Sequence, residues 1–148
     1  MPFFTLPIDE EKGPLLNAVV EVSEARAELL RSLGQPIPRR VTVKALVDTG
    51  ASGTCVDPVV LQQLGVDSKG KTQVLTPSTG ANHITVDEYD VSLSVYKTAN
   101  EVPCKINDLA VIESELNVQG FQVLIGRDFL AKCILHYNGQ GRHYTIAF

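Results

Sequence analysis

Residues 41–50, VTVKALVDTG, alternate apolar and polar side chains and then stop on an acid. A period of two puts Val41, Val43, Ala45 and Val47 on one face, the pattern of a strand with one side in a core. The strand ends in Asp48-Thr49-Gly50, and Ala51, Ser52 and Gly53 follow. A carboxylate at the end of a core strand is costly unless something holds it or uses it. A turn of such small residues also leaves room for backbone or a ligand to come close. The fold has to be built around a strand end that carries an acid.

The rest of the chain reads as mainly β with two or three short helices. Residues 13–23 are apolar enough for a strand. Residues 23–36 predict a helix capped by Ser23, with Ala25, Leu29, Leu30 and Leu33 on one side, stopped by Gly34 and Pro36. DPVVLQQLG predicts a second helix, with Asp57 as cap, Pro58 in the first position and Gly65 at the end. Residues 71–95 predict a long hairpin whose tip is Pro77, Ser78, Thr79 and Gly80. Two strands are expected at Val102–Ile106 and Leu109–Ile112. FQVLIGRDFLAKC then predicts a buried strand entering a short helix that Asp128 can cap. The chain closes as a hairpin turning at Asn138-Gly139. The expected organisation is one domain, 1–148: a strand–helix extension (1–38), a core (39–137) and a closing hairpin strand (138–148).

Composition excludes several classes. A net charge of −4 without a Lys/Arg stripe argues against nucleic-acid binding. No apolar run approaches the roughly 20 residues needed to span a bilayer, so no membrane partner is expected. The first residues, MPFFTLPIDEEKG, lack the pattern of a secretory signal. Cys55, Cys104 and Cys133 are odd in number and widely spaced, which favours a reducing compartment, with the cytoplasm as the default. His83, His136 and His143 share no metal-ligand spacing, so neither a metal nor another cofactor is expected. Cys133 reads as a core thiol, whereas Cys55 lies near the acidic turn, where its oxidation could affect activity.

Asp48 has several chemical readings. A solvated turn acid is the simplest. An aspartyl nucleophile for phosphoryl transfer usually has a second acid two residues on, where Gly50 stands. A phosphate loop needs Gly-Lys-Ser/Thr, which GASGT lacks. A later stretch changes the balance. LVDTGA at 46–51, the hairpin TPSTGANHITVDEYDVSLSV, and VLIGRDFL at 123–130 occur in that order. Together, over roughly residues 39–137, they resemble the retropepsin-like aspartic proteases, here a bacterial-type, single-domain member. The resemblance implies an acid-protease half-barrel with a flap hairpin.

It also implies roles. Peptide hydrolysis by this route needs two carboxyls sharing one water and one proton. The chain has one Asp-Thr-Gly, so the second Asp48 has to come from a twin chain in a homodimer acting on a peptide or protein. Asp48, Thr49 and Gly50 form the catalytic set. Thr49 bonds across the dimer axis. Ala51, Ser52 and the flap tip Ser78, Thr79 and Gly80 contact substrate. Ala51 offers no hydroxyl to the carboxylate, which implies an optimum in mild acid, about pH 5–6.5. Leu124, Ile125 and Gly126 pack beneath the loop, and Asp128 supports it. Arg127 forms a structural ion pair with Asp128, Asp57 or a partner-chain acid, or else stays at the surface. The edges of FFTLPI and YTIAF are expected to pair between subunits. A non-catalytic module that clamps a peptide in the same fold is the alternative.

Overall fold

In the computed structural model, which describes residues 1–148, the alternating segment is strand β3 (Val41–Val47). Val43, Ala45 and Val47 are buried, while Thr42 and Lys44 face solvent. β3 pairs antiparallel with β2 (Leu15–Val22), which also pairs with the second half of β6 (Ile84–Tyr96). The other edge of β6 pairs with β7 (Cys104–Glu113), and β7 runs parallel to β4 (Cys55–Val56). β8 (Val123–Ile125) then lies between β4, antiparallel to it, and β3, parallel to it. Six strands thus close into a barrel, which leaves the ring no free edge. β5 (Gly70–Val74) pairs only with the first part of β6, so this hairpin projects beyond the ring.

A second sheet of three strands, in the order β1 (Phe3–Pro7), β10 (His143–Ala147), β9 (Ile134–Asn138), packs on the barrel. It shares the barrel's core through Phe4, Tyr144 and Ile146. The buried Tyr144 donates its hydroxyl to the Leu15 carbonyl at 2.7 Å. Burying Tyr144 and Phe129 completely stabilises the fold by about 2–3 kcal/mol each. FFTLPI and YTIAF therefore pair with each other inside one chain, Phe3 opposite Ala147, and with β9 on its other side YTIAF has no edge left for the expected pairing between subunits. β10 is the central strand, and the open edges belong to β1 and β9.

Three further expectations need correction. Helix α1 (Glu24–Ser32) is capped by Ser23 as expected, but it packs through Ala27 and Leu30. Ala25, Leu29 and Leu33 face solvent. The two strands expected at 102–112 are one, β7, with a one-residue register shift opposite Val91/Leu93. The last hairpin turns through four residues, 139–142, because the Asn138 side chain accepts the Gly141 amide at 2.7 Å and Arg142 takes a positive φ.

Helix α2 (Pro58–Leu64) follows its local signals, ending at Gly65 with φ +62°. Its cap does more than capping. Asp57 is 2% exposed and accepts the amides of Val59, Leu116 and Asn117 at 2.7–2.9 Å. Burial works to raise its pKa, but the three donors outweigh it and hold the carboxyl below its usual value. A depressed folded-state value means the stabilisation is complete above the unfolded pKa, about 3.9, and is lost as pH falls through the folded one. Asp57→Asn is therefore expected to cost roughly 1–3 kcal/mol at pH 7, and the gap from wild type should narrow below about pH 4. Urea unfolding of both proteins at pH 7 and pH 3 measures this; an equal gap at both would contradict it.

Candidate active site

Because β8 separates β3 from β4, the chain leaving β3 has to cross the end of β8 before it can return as β4. Residues 48–54 make that crossing. The Asp48 amide donates to the carbonyl of Ile125, the last residue of β8, at 2.9 Å. Asp48 is half-buried, while Thr49 and Gly50 are exposed. Asp48 Oδ1 accepts the Gly50 amide at 2.8 Å, the one hydrogen bond the carboxylate makes within its own chain. A Cβ on Gly50 would lie 3.0 Å from that oxygen, so glycine keeps the turn tight around the acid.

Gly126, Arg127 and Asp128 form the floor. Helix α3 (Arg127–Leu130) starts directly after β8, and the Arg127 amide donates to the Ala51 carbonyl at 2.9 Å. Arg127 is exposed and makes no ion pair within the chain, so neither Asp128 nor Asp57 receives it. Its guanidinium donates to the carbonyls of Thr49 and Gly50 at 2.9 and 3.1 Å and so braces the loop through its backbone. Asp128 is not the helix cap; that position is Gly126. The Asp128 carboxylate accepts the Thr54 amide at 3.0 Å, the Thr54 hydroxyl at 2.7 Å and its neighbour Phe129's amide at 2.8 Å. Ile125 is fully buried beneath the loop, whereas Leu124 is only half-buried on the opposite side of the strand.

Sequence reasoning missed Thr54. Its side chain is fully buried, donating to Asp128 and accepting the Gly126 amide at 3.1 Å. It locks the end of the acidic loop to the floor. Replacing it with valine keeps the shape and removes both bonds. Thr54→Val is expected to destabilise the fold by roughly 2–4 kcal/mol, by leaving buried groups unpaired. A chemical-denaturation midpoint within error of wild type would contradict this.

The cleft beside Asp48, about 240 Å³, is lined by Pro14, Val47, Asp48, Thr49, Leu135 and Tyr137. Pro14, Leu135 and Tyr137 were also not anticipated; Leu135 and Tyr137 stand two apart on β9, the spacing of one strand face. A larger hollow, about 570 Å³, shares only Tyr137 with this cleft and is lined mainly by residues 8–13. It does not reach Asp48. The flap tip makes no hydrogen bond to the loop–floor network and bonds to itself. Thr79 Oγ1 accepts the Thr76 amide and donates to the Thr76 carbonyl, both at 2.9 Å, and Ser78 Oγ meets Thr76 Oγ1 at 2.8 Å. Gly80 takes a positive φ of +58°. The flap's base reaches the site through pairing, since Glu88 lies opposite Ile112 and Ile112 beside Cys55.

Burial, aided by the charges of Asp128 and Asp48, pushes the Cys55 thiol up to about 11, so it stays protonated and unreactive near neutral pH. No three His, Cys, Asp or Glu side chains converge to hold a metal ion. No helix is long and apolar enough to cross a membrane.

The arrangement matches known proteins in fold and in sequence pattern. Over 98% of this chain and 89% of the other, it superposes on a retropepsin-like aspartic protease from Rickettsia conorii, with a TM-score of 0.61 and 15% identity. The retroviral protease-like domain of Ddi1 from Leishmania major matches over 91% of this chain and 90% of that one, at 17% identity and a TM-score of 0.44. No curated protein sequence matches the chain. The sequence model of a family described as aspartyl protease matches residues 34–129, from before β3 to α3. The chain has the retropepsin-like fold and belongs to the aspartyl protease family.

Proposed function

We propose that this protein is an aspartic endopeptidase of the cytoplasm, active as a homodimer in which the Asp48 carboxyls of two chains share one water. The observation that carries the reading is the single Asp-Thr-Gly, held at the strand crossing with its carboxylate beside an open cleft. In the dimer one carboxyl is ionised and the other protonated, since two held about 3 Å apart cannot both ionise. The ionised one takes a proton from the water as its oxygen attacks the substrate carbonyl carbon. The protonated one donates a hydrogen bond to the carbonyl oxygen. Collapse of the tetrahedral intermediate then returns a proton to the leaving nitrogen and breaks the C–N bond.

The open edge of β9 supports the dimer, because Leu135 and Tyr137 of that strand already line the Asp48 cleft. Thr49, exposed and with no hydrogen bond from its hydroxyl inside the chain, is suited to meet its twin across the axis. The projecting hairpin suits an extended peptide bound as an added strand under Ser78, Thr79 and Gly80, with Ala51 and Ser52 on the other side.

The test is incubation of the protein with an unstructured polypeptide across a pH series, with products identified by mass. Cleavage at defined bonds with a bell-shaped profile centred at about pH 5–6.5 is expected. A peak below pH 4 contradicts the role given to Ala51. Binding without any cleavage would establish the peptide-clamping module instead.

A further inference from the structure

Cys104 and Cys133 stand 29 positions apart in sequence, yet their sulfurs lie 3.6 Å from each other. Cys104 opens β7 and is buried, 4% exposed, in the shared core. Cys133 follows α3, packs against the same core and remains partly open to solvent. All three cysteines are free thiols, and Cys55 has no cysteine partner. Two thiols in contact, one reachable from outside and one behind it, are the arrangement that thiol–disulfide exchange needs.

We infer that Cys104 and Cys133 form a reversible redox-modification site, which a low-molecular-weight disulfide converts into an internal cross-link. The Cys133 thiolate attacks one sulfur of the external disulfide and expels one thiolate, leaving a mixed disulfide on Cys133. Cys104 loses its proton, attacks the Cys133 sulfur and expels the second. Two protein thiols are oxidised, one external disulfide is reduced to two thiols, and no other reactant is needed. Either thiol can donate the hydrogen bond between them; once Cys133 is ionised only Cys104 can, and that bond lowers the pKa of Cys133 while the bond and burial raise that of Cys104, in keeping with attack by Cys133 first.

The cross-link joins the start of β7 to the segment between α3 and β9. That segment links Arg127 and Asp128, under the acidic loop, to Leu135 and Tyr137 beside Asp48. Its formation constrains the unfolded chain and secures this junction to the barrel. Transient disulfides of this kind are the ones found in reducing compartments. The inference does not depend on the protease reading.

The test treats the full chain with oxidised glutathione and follows intact mass, peptide mapping and thermal unfolding. The mass should fall by two hydrogens, with Cys104 linked to Cys133 and Cys55 left free. The unfolding midpoint should rise by roughly 5–10 °C and return after dithiothreitol. Cys104→Ser should instead hold one glutathione at Cys133, which also shows that Cys133 is the entry point. A glutathione adduct that persists on the wild type, a link through Cys55, or an unchanged mass would each overturn the proposal.

Discussion

Replacing Asp48 with asparagine is expected to abolish peptide hydrolysis, a loss of at least about 10⁴-fold in kcat/KM. Asparagine keeps the shape of the side chain and its oxygen can still accept the Gly50 amide now received by Oδ1. What disappears is the group proposed to take and return a proton, and it disappears twice in the proposed symmetric dimer. The fold should survive, since the carboxylate is only half-buried and makes no ion pair. A steady-state assay with a thermal melt on the same sample separates the two effects. Lost activity with an unchanged melt is the expected pair of results. Unchanged turnover would show that Asp48 is not the proton-transfer group.

The second large effect is structural. A Cβ on Gly126 would lie 2.5 Å from the carbonyl carbon and oxygen of Gly53 and 3.0 Å from its amide nitrogen. All three are backbone atoms, so no side chain can turn away to make room. The loop and its floor have to separate, and that breaks the Thr54 bonds to Gly126 and Asp128. Gly126→Ala is expected to cost roughly 3 kcal/mol or more. Gly34 provides the comparison. It takes φ +66° with nothing within 4 Å, so Gly34→Ala should cost only about 1 kcal/mol, from backbone strain alone. Equilibrium urea unfolding of both variants reads the difference. Comparable losses would mean the loop does not rest on Gly126 as closely as described.

What the sequence discloses follows how local each cause is. Helix α2 was legible because Asp57, Pro58 and Gly65 set both its ends within a few residues. The acidic loop and GRD were legible as paired motifs, and the structure joins them through the Arg127 amide on Ala51 and the Arg127 guanidinium on Thr49 and Gly50. The face of α1 was not legible. A helix of nine residues has apolar side chains on more than one side, and which of them packs is decided by distant strands. Thr54 was invisible for the same reason, since the groups that need its hydroxyl lie 72 and 74 positions away. The reach of Arg127 was also hidden. Its acceptors are carbonyls, which every residue has, so no acid in the sequence could mark them. The pairing of FFTLPI with YTIAF spans nearly the whole chain and was decided by closure of the small sheet within one molecule.

Mixing wild type with Asp48→Asn at fixed total concentration, after the chains have exchanged, tests most directly whether one site draws an acid from each of two molecules. If it does, only pairs of wild-type chains hydrolyse, and an equal mixture retains about one quarter of the wild-type rate. A rate of one half, falling in direct proportion to the wild-type fraction, would mean that each chain works alone with its own Asp48.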